Sequence, residues 1–243
     1  MITRNPSLTD QVKAHIKELI LTDGFEDARI PPETELAADL GVSRTTIRDA
    51  LSRLQSEGAI YRRQGAGTFV NQQGLQIKSR LEDIWSYEKL LEDHGFEPSV
   101  RVLAASKAPA DSPTAEALGL NDGDMVLIIE KLFLEDEKPV MLTINRIPTH
   151  FLSGTDYADD DAAPIYEFLQ DHCDRSLSYY LSEIIPVALD ADTASKLGVD
   201  PGTPAISFDE IGFDQSNEPL VRATSHFRDD LLRFRLIRKR SGA

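Results

Sequence analysis

Two stretches of helical periodicity meet at Gly41-Val42-Ser43, a junction short enough to be only a tight turn between packed helices. The first runs from about Glu33, after Pro31-Pro32, with Leu36, Ala37 and Leu40 on one face, and Gly41 ends it. Ser43 then caps a helix whose inner face is Ile47, Ala50, Leu51 and Leu54, leaving Arg44, Thr45, Arg48 and Arg53 largely outward. Upstream, Val12, Ile16, Leu19 and Ile20 recur at helical spacing after Thr9 and stop near Asp23-Gly24. Downstream of Gly58, Ile60 to Arg63 and Thr68 to Val70 flank Gln64-Gly65-Ala66-Gly67, which reads as a hairpin with a glycine-rich tip. The expected unit is a winged helix-turn-helix.

The charge is divided unevenly. The 243-residue chain carries 26 Lys+Arg and 41 Asp+Glu, a formal −15. Residues 1–73 hold 9 basic and 10 acidic residues, which leaves 17 against 31 for the remainder. Affinity for nucleic acid must therefore reside in a local basic face. That asymmetry predicts two domains, 1–73 and 74–243, joined through the polar stretch Asn71-Gln72-Gln73-Gly74. The single cysteine, Cys173, excludes an intramolecular disulfide and reads as a buried, inert thiol. No apolar run reaches the roughly 18–20 residues of a spanning helix, and Met1 to Thr9 lacks a signal-peptide core. The expectation is a cytoplasmic protein with no membrane partner.

The second segment reads as α+β with an antiparallel sheet. A helix is expected from about Leu81 to His94. Strands are expected at Val100–Ala104, Met125–Glu135, Val140–Ile147, Leu181–Val187, Ala205–Asp214 and Leu220–Phe227, with short helices at Thr114–Leu118, Pro164–Cys173 and Ala191–Leu197. An internal repeat runs through it. Thr114-Ala115, Leu118-Gly119-Leu120 and Gly123 match Thr193-Ala194, Leu197-Gly198-Val199 and Gly202 at an offset of 79, which slips to 80 at Lys138-Pro139-Val140 and Glu218-Pro219-Leu220. Two copies predict two hairpins of one sheet related by approximate two-fold symmetry, with a ligand cleft between the halves.

From Val42 to Val70 five arginines face Asp49 and Glu57, a local +3. The capped helix fits a major groove, where Arg44 and Arg48 are expected to read bases, since a guanidinium can bond two guanine acceptors. Thr45 and Thr46 can reach phosphate or a thymine methyl. Gly65 and Gly67 allow close backbone approach in the wing, with Gln64 placed for the minor groove. A protein-interaction winged helix with a solvated arginine face is the alternative.

The ordered stretch Ile30-Pro31-Pro32-Glu33-Thr34-Glu35-Leu36-Ala37, Gly41-Val42-Ser43-Arg44-Thr45-Thr46-Ile47-Arg48-Asp49-Ala50-Leu51, Leu54, Glu57-Gly58 and Gln64-Gly65-Ala66-Gly67-Thr68-Phe69-Val70 resembles the GntR family of bacterial transcription regulators. The remainder is similar to its HutC-type branch, with a UTRA effector domain related in fold to chorismate lyase. The resemblance implies a homodimeric regulator, usually a repressor, that binds double-stranded operator DNA of near-palindromic sequence and is released by a small-molecule effector. It places DNA contacts at Thr34, Ser43, Arg44, Thr45, Thr46, Arg48, Gln64, Gly65, Gly67 and Thr68. Thr34 stands where many relatives have arginine. The effector pocket falls on Ser86, Tyr87, Lys131, Phe133, Thr143, Asn145, Tyr166, Arg222, Thr224 and His226. Phe133, Thr143 and Val221 depart from the sugar-phosphate-binding pattern, so an anionic metabolite met by Lys131, Arg222 and His226 is expected in place of an amino-sugar phosphate.

Strand alternation leaves Lys131 and Arg222 open to a solvent-facing reading. Arg228 is expected to brace Asp229 or Asp230. The acidic Asp156, Asp159, Asp160 and Asp161 read as a solvated loop, and Arg233, Arg235, Arg238, Lys239 and Arg240 as a solvated terminus or a second nucleic-acid patch. No cofactor or metal is expected. A chorismate-lyase-like enzyme and a regulator with a metal-binding helical effector domain are the competing readings. Against the first, no nucleophile–base pair assembles. Against the second, the later half is rich in strand patterns.

Overall fold

The computed structural model describes residues 7–22, 24–76, 84, 86–93, 95–154, 162–228, 234 and 237. The chain divides into two compact units, residues 81–234 forming one and residues 1–80 with 235–243 the other. The division falls later than the expected 73/74 boundary, and its physical reason is local. The Asn71 amide donates to the Gly58 carbonyl at 2.8 Å, and Gly74 lies so close to that oxygen that a Cβ there would overlap it. The stretch read as a linker is thus fastened to the first unit.

In that unit α1 (Leu8–Thr22), α2 (Glu33–Asp39) and α3 (Arg44–Ser56) enclose an apolar core of Val12, Ile16, Ile20, Leu36, Ile47, Ala50, Leu51 and Leu54. The Ser43 side chain accepts from the Thr46 amide at 3.1 Å, satisfying one of the donors that the first turn of α3 leaves unpaired. β2 (Ile60–Arg63) and β3 (Gly67–Val70) form the expected hairpin. A two-residue strand that the sequence did not suggest, β1 (Arg29–Ile30), adds to β3, with Ile30 turned into the core.

The second unit is one six-stranded antiparallel sheet in the order β4-β5-β6-β9-β8-β7, from β4 (Pro98–Pro109), β5 (Met125–Glu135), β6 (Lys138–Pro148), β7 (Tyr179–Ala188), β8 (Pro204–Phe213) and β9 (Pro219–Phe227). The internal repeat appears as geometry. Asp111 caps α5 (Ser112–Leu118) through the Thr114 amide, and Asp190 caps α7 (Ala191–Leu197) through the Thr193 amide. Both helices end on a left-handed glycine, Gly119 and Gly198. The halves meet at β6 and β9, where Arg146 and Arg222 are cross-strand partners. Each short helix packs on the other half's inner strand, α5 on β9 and α7 on β6. The slip in repeat offset is one extra residue in the β8–β9 turn relative to the β5–β6 turn.

Both faces of this sheet are covered. α5 and α7 lie on one, where Leu132, Leu134 and Leu142 meet Ala194 and Leu197. On the other, α4 (Tyr87–Asp93) packs Leu90 and Leu91 against Phe133, Met141 and Phe227, and α6 (Ile165–Cys173) packs Phe168 and Leu169 against Leu127, Ile147 and Val221. Burial pushes the Cys173 thiol up to about 11, as an inert side chain should behave. Strands β4 and β7 run further than their sequence patterns suggest. Of the expected 81–94 helix, 81–83, 85 and 94 lie outside the described residues, as do Asp156 and Asp159 to Asp161, Asp229 and Asp230, and the basic residues at 233, 235 and 238–240. Arg228 donates to the Pro139 carbonyl at 3.0 Å, and the aspartates it is expected to brace are among the residues not described.

Candidate functional site

The first unit presents a cationic surface built on α3 and the wing. At 13 residues, α3 is about 20 Å long at 1.5 Å per residue, suited to lying in a major groove. Arg44, Thr45 and Arg48 are exposed on it, Ser43 and Thr34 are exposed beside it, and Thr46 is half-buried. Gln64, Gly65 and Gly67 form the exposed wing tip, with Thr68 half-buried behind them. Gly65 and Gly67 adopt φ of 75° and 120°, in the region that favours glycine, so the tight tip needs them.

The two arginines expected to read bases differ in setting. Among the described residues Arg44 has no acidic partner, whereas Arg48 donates through Nε and Nη2 to Glu33 Oε2 at 3.2 and 3.1 Å. Arg62 Nη2 lies 3.6 Å from the other oxygen of Glu33. Glu33, the first residue of α2, therefore ties α3 to the wing, a role that sequence reasoning missed because its partners lie 15 and 29 positions away. In the wing, Tyr61 and Phe69 stack at 5.8 Å and the Arg63 guanidinium lies 5.5 Å from each ring centroid. These contacts stiffen the hairpin.

The second unit holds a cavity of about 770 Å³ on the face shared with α4 and α6. Strand register orders its floor. One row runs Ile129, Asn145, Ala223, Glu210, Ser182 from β5 to β7; the next runs Lys131, Thr143, Ser225, Phe208, Ile184. Ser86, Tyr87 and Tyr166 complete the wall, beside Phe133 and Tyr180. Seven of the ten expected pocket residues thus come together: Ser86, Tyr87, Lys131, Phe133, Thr143, Asn145 and Tyr166.

Arg222, Thr224 and His226 do not join them. They alternate with Ala223 and Ser225 along β9, so their side chains project from the opposite face. Arg222 donates to both oxygens of Asp209, at 3.1 and 2.8 Å, and to Thr114 Oγ1 at 3.2 Å. Arg146 donates to Thr224 Oγ1 at 3.3 Å. His226 Nδ1 lies 2.5 Å from Ser207 Oγ, and burial lowers its pKa, favouring the neutral ring. An effector anion cannot meet Arg222 or His226 from inside the cavity.

Glu210, absent from the sequence-based set, is the most distinctive group on the cavity floor. It is 9% exposed, and its oxygens accept from the Ser182 hydroxyl and from the Tyr87 hydroxyl at 3.2 Å. Ser225 Oγ lies 2.6 Å from the Tyr87 oxygen, so Ser225 donates to Tyr87 as Tyr87 donates to Glu210. Burial raises the Glu210 pKa, which the two hydroxyl donors partly offset, and burial likewise holds Tyr87 and Tyr180 as neutral phenols. On the far side, Lys131 is 3% exposed and its ammonium donates to the Ala163 carbonyl. Among the described residues no group of three or more His, Cys, Asp and Glu side chains is arranged to hold a metal, and no helix is long and apolar enough to cross a membrane.

Comparison with known proteins assigns both units. Residues 8–70 match the gntR family of bacterial regulatory proteins and residues 93–233 match the UTRA domain. The chain is 26% identical over 227 residues to the HTH-type transcriptional repressor NagR of Bacillus subtilis, covering 93% of this chain and 91% of that one. In structure it is similar to PhnF from Mycobacterium smegmatis, with a TM-score of 0.59 and 25% identity over 94% of this chain and 99% of that one. Its fold is also that of a possible transcriptional regulator, YydK, from Bacillus subtilis, with a TM-score of 0.72 and 16% identity over 95% and 99% of the two chains.

Proposed function

Because the chain belongs to the gntR family of bacterial regulatory proteins and carries a UTRA domain, we propose that it is a transcriptional repressor. In this reading it binds a near-palindromic operator as a homodimer and is released when a small molecule fills the cavity of its second unit. The observation that carries the reading is the pairing of an exposed arginine-bearing helix and glycine-tipped wing with a separate, polar-floored cavity in one chain. DNA contacts are assigned to Thr34, Ser43, Arg44, Thr45, Thr46, Arg48, Gln64, Gly65, Gly67 and Thr68, and effector contacts to the seven cavity residues together with Glu210. The effector acts only by its differential affinity for the DNA-competent and released states. Fluorescence anisotropy on a promoter fragment tests the DNA half. Arg44→Ala should lower operator affinity by ~1–3 kcal/mol and relax discrimination at one base pair; an equal loss on random DNA would assign Arg44 to phosphate.

The dimer is supported by the sheet edge. β7 is an outer strand, and Tyr179, Leu181, Ile184 and Ile185 are all exposed on it, Leu181 at 61%. An apolar outer strand invites pairing, and a second copy is the partner that also brings two α3 helices to half-sites about 34 Å apart. Leu181 faces away from the cavity. Leu181→Lys should give a monomer by light scattering and weaken operator binding; an unchanged dimer would move the interface elsewhere.

A further inference from the structure

No cation among the described residues meets Glu210 in the effector cavity. Among the described residues its partners are hydroxyls only, Ser182 on β7 and Tyr87 on α4. On the same strand Asp209 takes Arg222, so a guanidinium is within reach of this part of the fold but has been placed on the other face. The Ser225–Tyr87–Glu210 chain of donors is polarised toward the carboxylate, and each oxygen keeps a second lone pair for another donor. A buried carboxylate supported in this way favours a positive partner, and the aromatic side chains of Tyr87 and Tyr180 line the cavity with it. Lys131 lies across the floor, three strands away, which is roughly 14 Å between backbones at about 4.8 Å per strand. The side chains of both residues reach inward and shorten that gap. Between them the floor is Thr143, Asn145 and Ala223, small enough for a ligand to lie flat.

We propose that the effector is bipolar: a protonated nitrogen seats against Glu210 beside Tyr87, and an anionic group lies at the Lys131 wall. This rests on the effector-pocket reading and deepens it by chemical class. A dianion meets Glu210 as a like charge, and a dication meets Lys131 as one. The ligand is therefore an extended zwitterion with a short body of four to six carbons, or about that length.

The test uses the full-length protein and three straight-chain probes of matched length: ε-aminocaproate, adipate and hexamethylenediamine. Thermal shift and calorimetry should rank the zwitterion above both. Glu210→Gln should weaken ε-aminocaproate about 10- to 100-fold and erase its advantage over adipate. Lys131→Met should erase its advantage over the diamine. Gln keeps an acceptor for Ser182 and Tyr87, so an unfolding midpoint at or above that of the wild type certifies the variant. The proposal is overturned when adipate equals or exceeds the zwitterion, when Glu210→Gln leaves its affinity unchanged, or when none of the probes shifts the midpoint. Its failure is separable from failure of the pocket reading. Ala223→Phe fills the cavity, and a deproteinised small-molecule extract of the source cells that frees operator from the wild type but not from this variant upholds the pocket whatever the probes do.

Discussion

Asp209 and Glu210 are neighbours on β8, yet the sheet gives them opposite fates. Asp209 points to the α5 and α7 face, where Arg222 holds both its oxygens and itself reaches Thr114 on α5. Glu210 points into the cavity, where among the described residues only hydroxyls meet it. One face of the sheet has completed its electrostatics internally, with Lys196 on Glu130 at 2.7 Å as a second example. On the other, Glu210 is a carboxylate whose described partners carry no charge. Paired charge joins elements together; charge supported only by neutral donors is poised for a ligand.

Breaking the completed face should have the largest effect on stability. Arg222→Ala strips Asp209 of its partner in a setting where both side chains are mostly covered, and should cost about 2–4 kcal/mol in urea unfolding. Ligand affinity should stay within about twofold. A stable variant that fails to respond to effector would instead return Arg222 to the pocket.

Next comes the cap of α5. Asp111→Ala removes the acceptor for the Thr114 amide and should cost ~1 kcal/mol. The Asp111 pKa is lowered, first by its bond to Thr114, so its contribution is present above the ordinary carboxylate range and fades as pH falls through the depressed value. A pH titration of the wild-type and variant midpoints should therefore converge in acid. Converging in base would contradict the cap.

The smallest change is expected at Glu210. Its raised pKa means that the folded state binds a proton more tightly than the unfolded chain. Stability is then greatest below the unfolded value and is lost as pH rises through the folded one. Glu210→Gln removes that penalty at neutral pH, so its midpoint should match or exceed wild type by ~0–3 °C even though ligand binding suffers. A clear drop would mark Glu210 as a structural group.

The cationic surface offers a third case. Glu33 is neutralised twice, by Arg48 and Arg62, and of Arg44 and Arg48 on α3 only Arg44 is without an acidic partner among the described residues. Ser43 and the arginines of α3 were legible along the chain because a cap and a helical face are set by residues within a turn of each other. Glu33's role was not, since it depends on how α2, α3 and the wing come together.

What the sequence alone determined was of short range or strict period: the helix-turn-helix with its Ser43 cap, the wing, and the 79-residue repeat that foretold paired hairpins. The tertiary structure decided which face each strand residue occupies. Alternation has a period of two, so one irregular residue reverses it, and the sheet has such irregularities between Val102 and Ala104, between Phe133 and Leu134, and between Gly212 and Phe213. Lys131 turned into the cavity, Arg222 away from it, and Glu210 into its floor because the register was set by packing across six strands, which no single strand's pattern contains.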